Sequence, residues 1–176
     1  HQNVIHLIEW GRDFFKISYK DNFANVSPMY FDNSVFDFYV GLFSGASLTP
    51  IFKNLLTDPY SITNYVERFK CTIWFSVPSL LIYLVSMKAI VPKQLMNLRL
   101  IIFGGEGYPK AELVKLYDKL KEHVVFVNVY GPTECTCICS AYEISDNDFL
   151  NLDGIPMLGN LNQNFDYKII NSEGKN

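Results

Sequence analysis

The 176-residue chain has no long apolar run. Its longest apolar stretches, residues 73–77 and 80–85, are separated by Pro78 and Ser79 and fall well short of the roughly 20 residues that a membrane-spanning helix needs. It also has no basic excess: the formal net charge is −3, so no bulk attraction to DNA, RNA or anionic lipid is expected. The start at His1 is not the charged, then apolar, segment of a signal peptide.

Cysteine and histidine are scarce as well. The cysteines are Cys71, Cys135, Cys137 and Cys139, and no histidine lies near the last three. Their C-x-C-x-C spacing does not match a usual zinc site. In a strand these three side chains would share one face, which favours packing over disulfide pairing. We therefore expect no cysteine metal site and a reduced, cytoplasmic protein.

Apolar residues, in contrast, are abundant. The chain is 49% hydrophobic, 15% aromatic and 19% charged. This composition indicates a folded chain with a core, and the length suits one domain.

Helix-like and strand-like segments alternate along the chain. Periodicity predicts helices at residues 3–15, 34–43, 58–70, 79–88 and 109–122, and strands at 22–27, 46–52, 71–77, 98–103, 124–129 and 135–144, with residues 166–170 closing the chain. Apolar strands joined by helices predict an α/β fold, a layered sheet with helices on both faces. Ligands bind such sheets at loops after the strands, here residues 104–107 and 130–134.

The second loop carries the most reactive side chains. Residues 128–134 read Asn-Val-Tyr-Gly-Pro-Thr-Glu. Tyr130 can stack on a flat base, Thr133 can donate to a phosphate, and Glu134 can hold Mg²⁺. On these residues alone, a tight turn in which Thr133 and Glu134 cap the next element is the better supported interpretation.

The whole string nevertheless resembles a signature of the adenylate-forming (AMP-binding) superfamily. The resemblance is closest to nonribosomal peptide synthetase adenylation domains and D-alanine–carrier-protein ligases. Residues 31–37, Phe-Asp-Asn-Ser-Val-Phe-Asp, are similar to the Phe-Asp-x-Ser motif of the amino-acid-activating branch. Residues 98–106 resemble the strand and turn that the family places against adenine, and residues 72–79 a strand near the pocket wall. Residues 154–160 resemble its Ile-Gly-x-Pro segment imperfectly.

The resemblance implies part of the large N-terminal domain of the adenylate-forming fold. Residues 1–176 would be a single fragment truncated at both ends, about a third of a typical member. The phosphate loop and the catalytic lysine would lie outside it, so we expect the isolated fragment to be inactive. The full-length parent would use ATP and Mg²⁺ to activate an amino acid as an acyl-adenylate. Its acceptor would be the thiol of a phosphopantetheinyl carrier protein or of CoA, with no nucleic-acid or membrane partner.

The resemblance also implies site residues. Thr133 and Glu134 would be catalytic, with Glu134 the metal ligand. The residues expected at the nucleotide are Gly105, Glu106, Gly107, Asn128, Tyr130 and Thr133. The residues expected at the substrate are Asp32, Asn33, Phe36, Gly104, Val129, Cys137 and Ile138, with Asp32 pairing with the α-ammonium. A small-to-medium uncharged substrate side chain is expected, because no other pocket charge is available to pair with a charged one.

Several alternatives stay open. Asp32 can simply cap a helix, and Glu106 can be a solvated residue before the next helix. For the parent protein, the alternatives are an acyl- or aryl-CoA synthetase, which Asp32 would discriminate, and a non-catalytic nucleotide-binding or structural module.

Overall fold

The computed structural model describes residues 1–91 and 93–175. A seven-stranded sheet of order β2-β1-β3-β4-β5-β6-β7 forms its centre. The strands are β1 (Asn22–Asn25), β2 (Ser47–Pro50), β3 (Ile73–Ser76), β4 (Leu100–Gly104), β5 (Val125–Tyr130), β6 (Ser140–Glu143) and β7 (Asn160–Leu161). The first five strands pair in parallel, while β6 and β7 are antiparallel to their neighbours. The carboxyl ends of β1 to β5 therefore lie at one edge.

Helices cover both faces of this sheet. They are α1 (Gln2–Phe14), α2 (Asn33–Val35), which continues as a π-helix (Phe36–Gly41), α3 (Pro59–Arg68), α4 (Pro78–Ser86) and α5 (Lys110–Leu120). Strand side chains alternate between two cores: Trp74 packs in one, and its neighbours Ile73 and Phe75 pack in the other. The predicted α/β fold with helices on both faces is confirmed. Within the described ranges, no helix is long and apolar enough to cross a membrane.

The predicted strand at residues 135–144 is wrong in its first half. Thr133–Cys135 form a 3₁₀ turn, and the strand starts at Ser140. Between them Thr136 and Cys137 have φ angles of +64° and +74°, in the left-handed region that a strand cannot contain. Consequently the three neighbouring cysteines do not share one strand face. Residues 166–170 also form no regular element.

A buried ion pair holds the amino ends of three strands. Asp21 precedes β1, and its carboxylate accepts hydrogen bonds from Arg99 (Nε, 2.8 Å) and Thr72 (Oγ1, 2.8 Å), the residues just before β4 and β3. Arg99 also donates to the Phe15 carbonyl at 3.1 Å. Burial alone would raise the pKa of Asp21, but the bonds from Arg99, the Ser18 amide and Thr72, together with the charge of Arg99, hold that pKa below its usual value.

We expect Asp21→Asn to lower the free energy of unfolding by about 3 kcal/mol at neutral pH, near the lower limit for breaking a buried pair, because Arg99 is partly exposed. The depressed pKa means that the carboxylate stabilises the fold above its unfolded value of 3.8, and that this contribution is lost as the pH falls through the folded value. Urea unfolding should therefore show that the wild type and Asp21→Asn differ most in free energy of unfolding at neutral pH and differ less at acidic pH. Asp13→Asn, at an exposed residue bonded to its neighbour Arg12, is the control. If Asp21→Asn had the wild-type free energy of unfolding at neutral pH, the role assigned to this ion pair would be contradicted.

Candidate functional site

The carboxyl ends of the parallel strands open into a cleft of about 580 Å³. Part of its wall comes from the loops that follow four strands: Ser27 and Pro28 after β1, Val77 after β3, Gly105 and Glu106 after β4, and Gly131, Pro132 and Thr133 after β5. The position at the strand ends agrees with the two loops that the sequence analysis selected. We refer to this space as the first chamber.

A second chamber of about 490 Å³ adjoins the first. The two share Gly105, Glu106, Val129, Gly131 and Pro132, so ligands in them would meet at these residues. The remaining lining of the second chamber comprises Gly107, Tyr108, Asn128, Tyr130, Ile155 and Leu158. All the residues predicted to bind nucleotide, except Thr133, therefore surround one space. Thr133 lines the first chamber.

Aromatic and amide groups in the second chamber suit a flat polar heterocycle. Tyr130 is 48% exposed, which leaves its ring free to stack on a ligand. The Asn128 amide nitrogen donates to the Met157 carbonyl at 2.8 Å, and this contact orients the amide oxygen as a remaining acceptor.

Glu106 joins the chamber wall to a helix. Its carboxylate accepts the Ser79 backbone N–H at 3.2 Å, in the first turn of α4. The residue that precedes this helix, Val77, has no side chain able to cap it, so Glu106 supplies the missing acceptor. Glu106 is exposed to solvent and also makes this long-range contact.

Asp32 and Thr133 meet in the first chamber. The Thr133 hydroxyl donates to an Asp32 carboxylate oxygen at 2.7 Å, although the two residues are 101 positions apart. Asp32 has helical backbone angles and its side chain caps no helix, so the interpretation of Asp32 as an N-cap is wrong. The interpretation of Thr133 as a cap is likewise not supported, because the 3₁₀ turn at Thr133–Cys135 has no side-chain cap.

The other predicted substrate residues divide between two locations. Asn33, Gly104, Val129 and Cys137 line the first chamber with Asp32. At Gly104 a Cβ atom would lie 2.5 Å from the Val129 carbonyl oxygen, so the close approach of β4 and β5 needs glycine there.

Phe36 and Ile138 do not line this chamber. Phe36 is fully buried behind it, edge-on to Phe75, which itself forms part of the chamber wall. Ile138 lines a separate cavity of about 470 Å³ beside α1. A direct role in substrate contact for these two side chains stays a prediction.

Glu134 is exposed and lies in the cavity that Ile138 also lines. In the described part of the chain no group of three or more acidic, histidine or cysteine side chains could hold a metal by itself. Mg²⁺ usually takes one or two carboxylates, together with water and phosphate oxygens. Glu134 lines neither chamber, and it supplies one exposed carboxylate of the kind that Mg²⁺ takes.

The π-helix buries one more carboxyl group, that of Asp37, which the sequence did not indicate as a site residue. It is fully buried; one oxygen accepts from Asn25 at 2.9 Å, and the other has no partner within the described residues. Burial raises the pKa of Asp37 to about 8, and the bond from Asn25 only partly offsets this. The sequence carries no signal of this burial, because helical periodicity over residues 34–43 places Asp37 opposite the apolar stripe of Val35, Phe38, Tyr39 and Leu42.

We expect Asp37→Asn to flatten the pH dependence of stability. Between the ordinary value of 3.8 and the folded value of about 8, the folded state holds a proton that the unfolded chain has lost. Stability should therefore fall as pH rises through this window, by up to about 1.4 kcal/mol per pH unit, and asparagine, which is always neutral, should remove the fall. Urea unfolding at mildly acidic and mildly alkaline pH measures this difference. Parallel curves for the wild type and the variant would show that Asp37 is ionised when folded.

Comparisons with known proteins give a consistent result. The family model described as AMP-binding enzyme matches residues 1–176. The L-proline–[L-prolyl-carrier protein] ligase of Streptomyces coelicolor is 29% identical over 157 residues, covering 89% of this chain and 29% of that protein. The D-alanine–D-alanyl carrier protein ligase of Bacillus licheniformis is 28% identical over 173 residues, covering 98% of this chain and 34% of that protein.

Solved structures show the same similarity. The Vibrio cholerae adenylation domain AlmE, in complex with glycyl-adenosine-5'-phosphate, superimposes with a TM-score of 0.83 at 25% identity, covering 98% of this chain and 31% of that one. The chain thus spans about a third of the length of the relatives that it matches.

Proposed function

The chain belongs to the AMP-binding enzyme family, and from this premise we propose that it forms the nucleotide- and acid-binding part of a longer ligase. The ligase activates an amino acid as an acyl-adenylate and passes it to a carrier-protein thiol. The observation that carries the proposal is the pair of adjoining chambers at the strand ends, one walled by Asn128 and Tyr130 and the other containing Asp32.

In the first half-reaction the substrate carboxylate attacks the α-phosphate of ATP. A bond forms between a carboxylate oxygen and phosphorus, and the bond from phosphorus to the β-phosphate oxygen breaks, releasing pyrophosphate. Adenine occupies the second chamber against Tyr130 and Asn128, while Thr133 donates to a phosphate oxygen. Because positioning supplies much of the catalysis in such transfers, the shared wall at Gly105 and Gly131 sets the reacting distance.

Mg²⁺, when bound, neutralises phosphate charge, and Glu134 is the residue that would hold it. In the second half-reaction a thiol attacks the acyl carbon and AMP leaves. The named activities of the relatives favour a carrier protein over CoA as the thiol donor, since these relatives are carrier-protein ligases.

The substrate assignment rests on Asp32. Its carboxylate faces a chamber whose other walls include Phe75, Val77, Leu80 and Val129. In the described residues no Lys, Arg or His lines this chamber, so the carboxylate is free to pair with a substrate α-ammonium. The walls are largely apolar and the other carboxylate, Glu106, accepts from the Ser79 amide, which favours a small-to-medium uncharged substrate side chain. A fatty or aryl acid has no ammonium group to pair with this carboxylate.

ATP–pyrophosphate exchange on the full-length protein tests the proposal. The panel comprises glycine, D-alanine, L-proline, L-valine and the corresponding des-amino acids. We expect exchange with at least one amino acid and much slower exchange with its des-amino partner, whereas exchange with fatty or aryl acids alone would favour the acyl-CoA alternative. No exchange with any acid would favour a non-catalytic module.

ATP–pyrophosphate exchange should be at least ~100-fold slower with the isolated 176-residue chain than with the full-length protein. The isolated chain contains neither a phosphate loop nor the lysine expected elsewhere in the parent.

A further inference from the structure

One hydrogen bond spans the boundary between the two proposed binding sites. The Thr133 hydroxyl donates to Asp32 at 2.7 Å. A threonine hydroxyl has a single proton, so it can donate to one acceptor at a time. While Thr133 donates to Asp32, it cannot donate to a phosphate oxygen.

We propose that this bond is a latch that couples the two substrate sites, so that binding of the amino acid makes the site competent for nucleotide. The inference rests on the proposed function, and it concerns the order and mutual dependence of binding at that site. In the empty site Asp32 holds the Thr133 proton. When a substrate α-ammonium pairs with Asp32, the carboxylate becomes a weaker acceptor and Thr133 turns to the phosphate.

The negative charge of Asp32 also disfavours nucleotide binding until the amino acid is bound. A phosphate oxygen that accepts from Thr133 would lie within about two hydrogen-bond lengths, ~5–6 Å, of the Asp32 carboxylate. Two negative groups at that distance repel each other appreciably in a partly desolvated chamber. Because no Lys, Arg or His among the described residues lines either chamber, the substrate ammonium is the cation that can pair directly with Asp32 and weaken the repulsion that remains when Mg²⁺ is on the phosphates.

The latch can open without disturbing the fold. Asp32 caps no helix, and the turn that carries it is held by other bonds. The Ser34 hydroxyl donates to the Phe31 carbonyl at 2.6 Å, and the Val35 amide donates to the Asp32 carbonyl at 2.8 Å. The side chain of Asp32 is therefore free to exchange partners while its backbone stays in place.

Calorimetric titration of the full-length protein with α,β-methylene-ATP and Mg²⁺ tests the coupling, because this analogue cannot form an adenylate. The second ligand is whichever amino acid gives the strongest exchange, compared with its des-amino acid. We expect the amino acid to tighten analogue binding roughly 5- to 50-fold, within the usual range of coupling between sites, and the des-amino acid to leave it within about twofold. By reciprocity the analogue should tighten amino-acid binding by the same factor.

Substitution of Asp32 gives the sharper test. Asp32→Ala should bind the analogue alone several-fold more tightly than the wild type, because Thr133 is released and the repulsion is gone; the amino acid should then add nothing. Asp32→Asn keeps an acceptor without the charge, so tightening in both variants assigns the coupling to charge, and tightening in alanine alone assigns it to the hydrogen bond. Asp13→Ala, which removes an exposed charge on α1, is the matched control and should change nothing.

Two results distinguish failure of the latch from failure of the proposed function. If the wild type binds the analogue but neither Asp32 variant binds it more tightly, the latch is overturned and the proposed function stands. If the wild type binds no analogue at all, with or without amino acid, the proposed function fails and the latch fails with it.

Discussion

Glu134→Gln is expected to slow adenylate formation about 100-fold or more in the full-length protein while leaving its fold intact. The substitution keeps the size of the side chain and removes the negative charge that would hold Mg²⁺ against the phosphates. Loss of one group that stabilises transition-state charge typically costs about 10²- to 10³-fold in rate. Glu134 is exposed, so its replacement should not disturb the core.

Exchange rates measured across a range of Mg²⁺ concentrations check this result. A lost metal ligand should raise the Mg²⁺ concentration needed for half-maximal rate, and excess Mg²⁺ should restore part of the activity. Glu122→Gln, at an exposed position beyond α5, is the matched control and should behave as the wild type. A Glu134→Gln protein that unfolds more easily but keeps its rate would show that this carboxylate is structural.

The sheet and the position of the site could be predicted from the sequence because both depend on simple patterns. Apolar runs such as residues 100–104 predict strands buried on both faces, and parallel strands place their following loops at one edge. Gly105 and Tyr130, chosen from separate loops, do line one chamber. The sheet topology alone was enough to predict that these two residues, distant in sequence, lie close together.

The conformation of the loop after Glu134 could not be predicted. Left-handed angles at Thr136 and Cys137 have no sequence signal, since neither residue favours them. What the periodicity missed is a tertiary constraint: at Gly131 a Cβ atom would overlap the Cys137 carbonyl, so this loop folds tightly back on itself. The alternation of cysteines suggested a strand because it has period two, and the backbone breaks that period.

The direction in which side chains point was the second feature that the sequence could not predict. Phe36 lies four residues after Asp32, one helical turn away, and sequence position alone cannot tell a residue that lines a chamber from one that packs behind its wall. The π-helix that begins at Phe36 alters the spacing of the following residues and buries both Phe36 and Asp37. A helical stripe with a period of 3.6 residues does not represent this turn.

Asp32→Ala should reduce exchange with the preferred amino acid by about 30-fold or more. Removing one partner of a buried, hydrogen-bonded charge pair costs roughly 2–5 kcal/mol, and Asp32 is only partly buried, so the lower end of that range applies. The loss should appear in the KM of the amino acid, because the ammonium contact forms on binding. The des-amino acid has no ammonium, so its already low rate should not fall further.

The direction of the change in nucleotide KM makes the Asp32→Ala experiment decisive. Simple damage to the chamber would weaken both substrates, because the same wall bounds both chambers. Loss of a carboxylate that pairs with an ammonium and also restrains Thr133 should weaken the amino acid and tighten the nucleotide in one variant. Asn33→Ala, which changes the adjacent lining residue without touching the charge, should not give opposite shifts. Equal losses for the amino acid and its des-amino analogue would contradict the amino-acid assignment and favour an acyl-CoA synthetase.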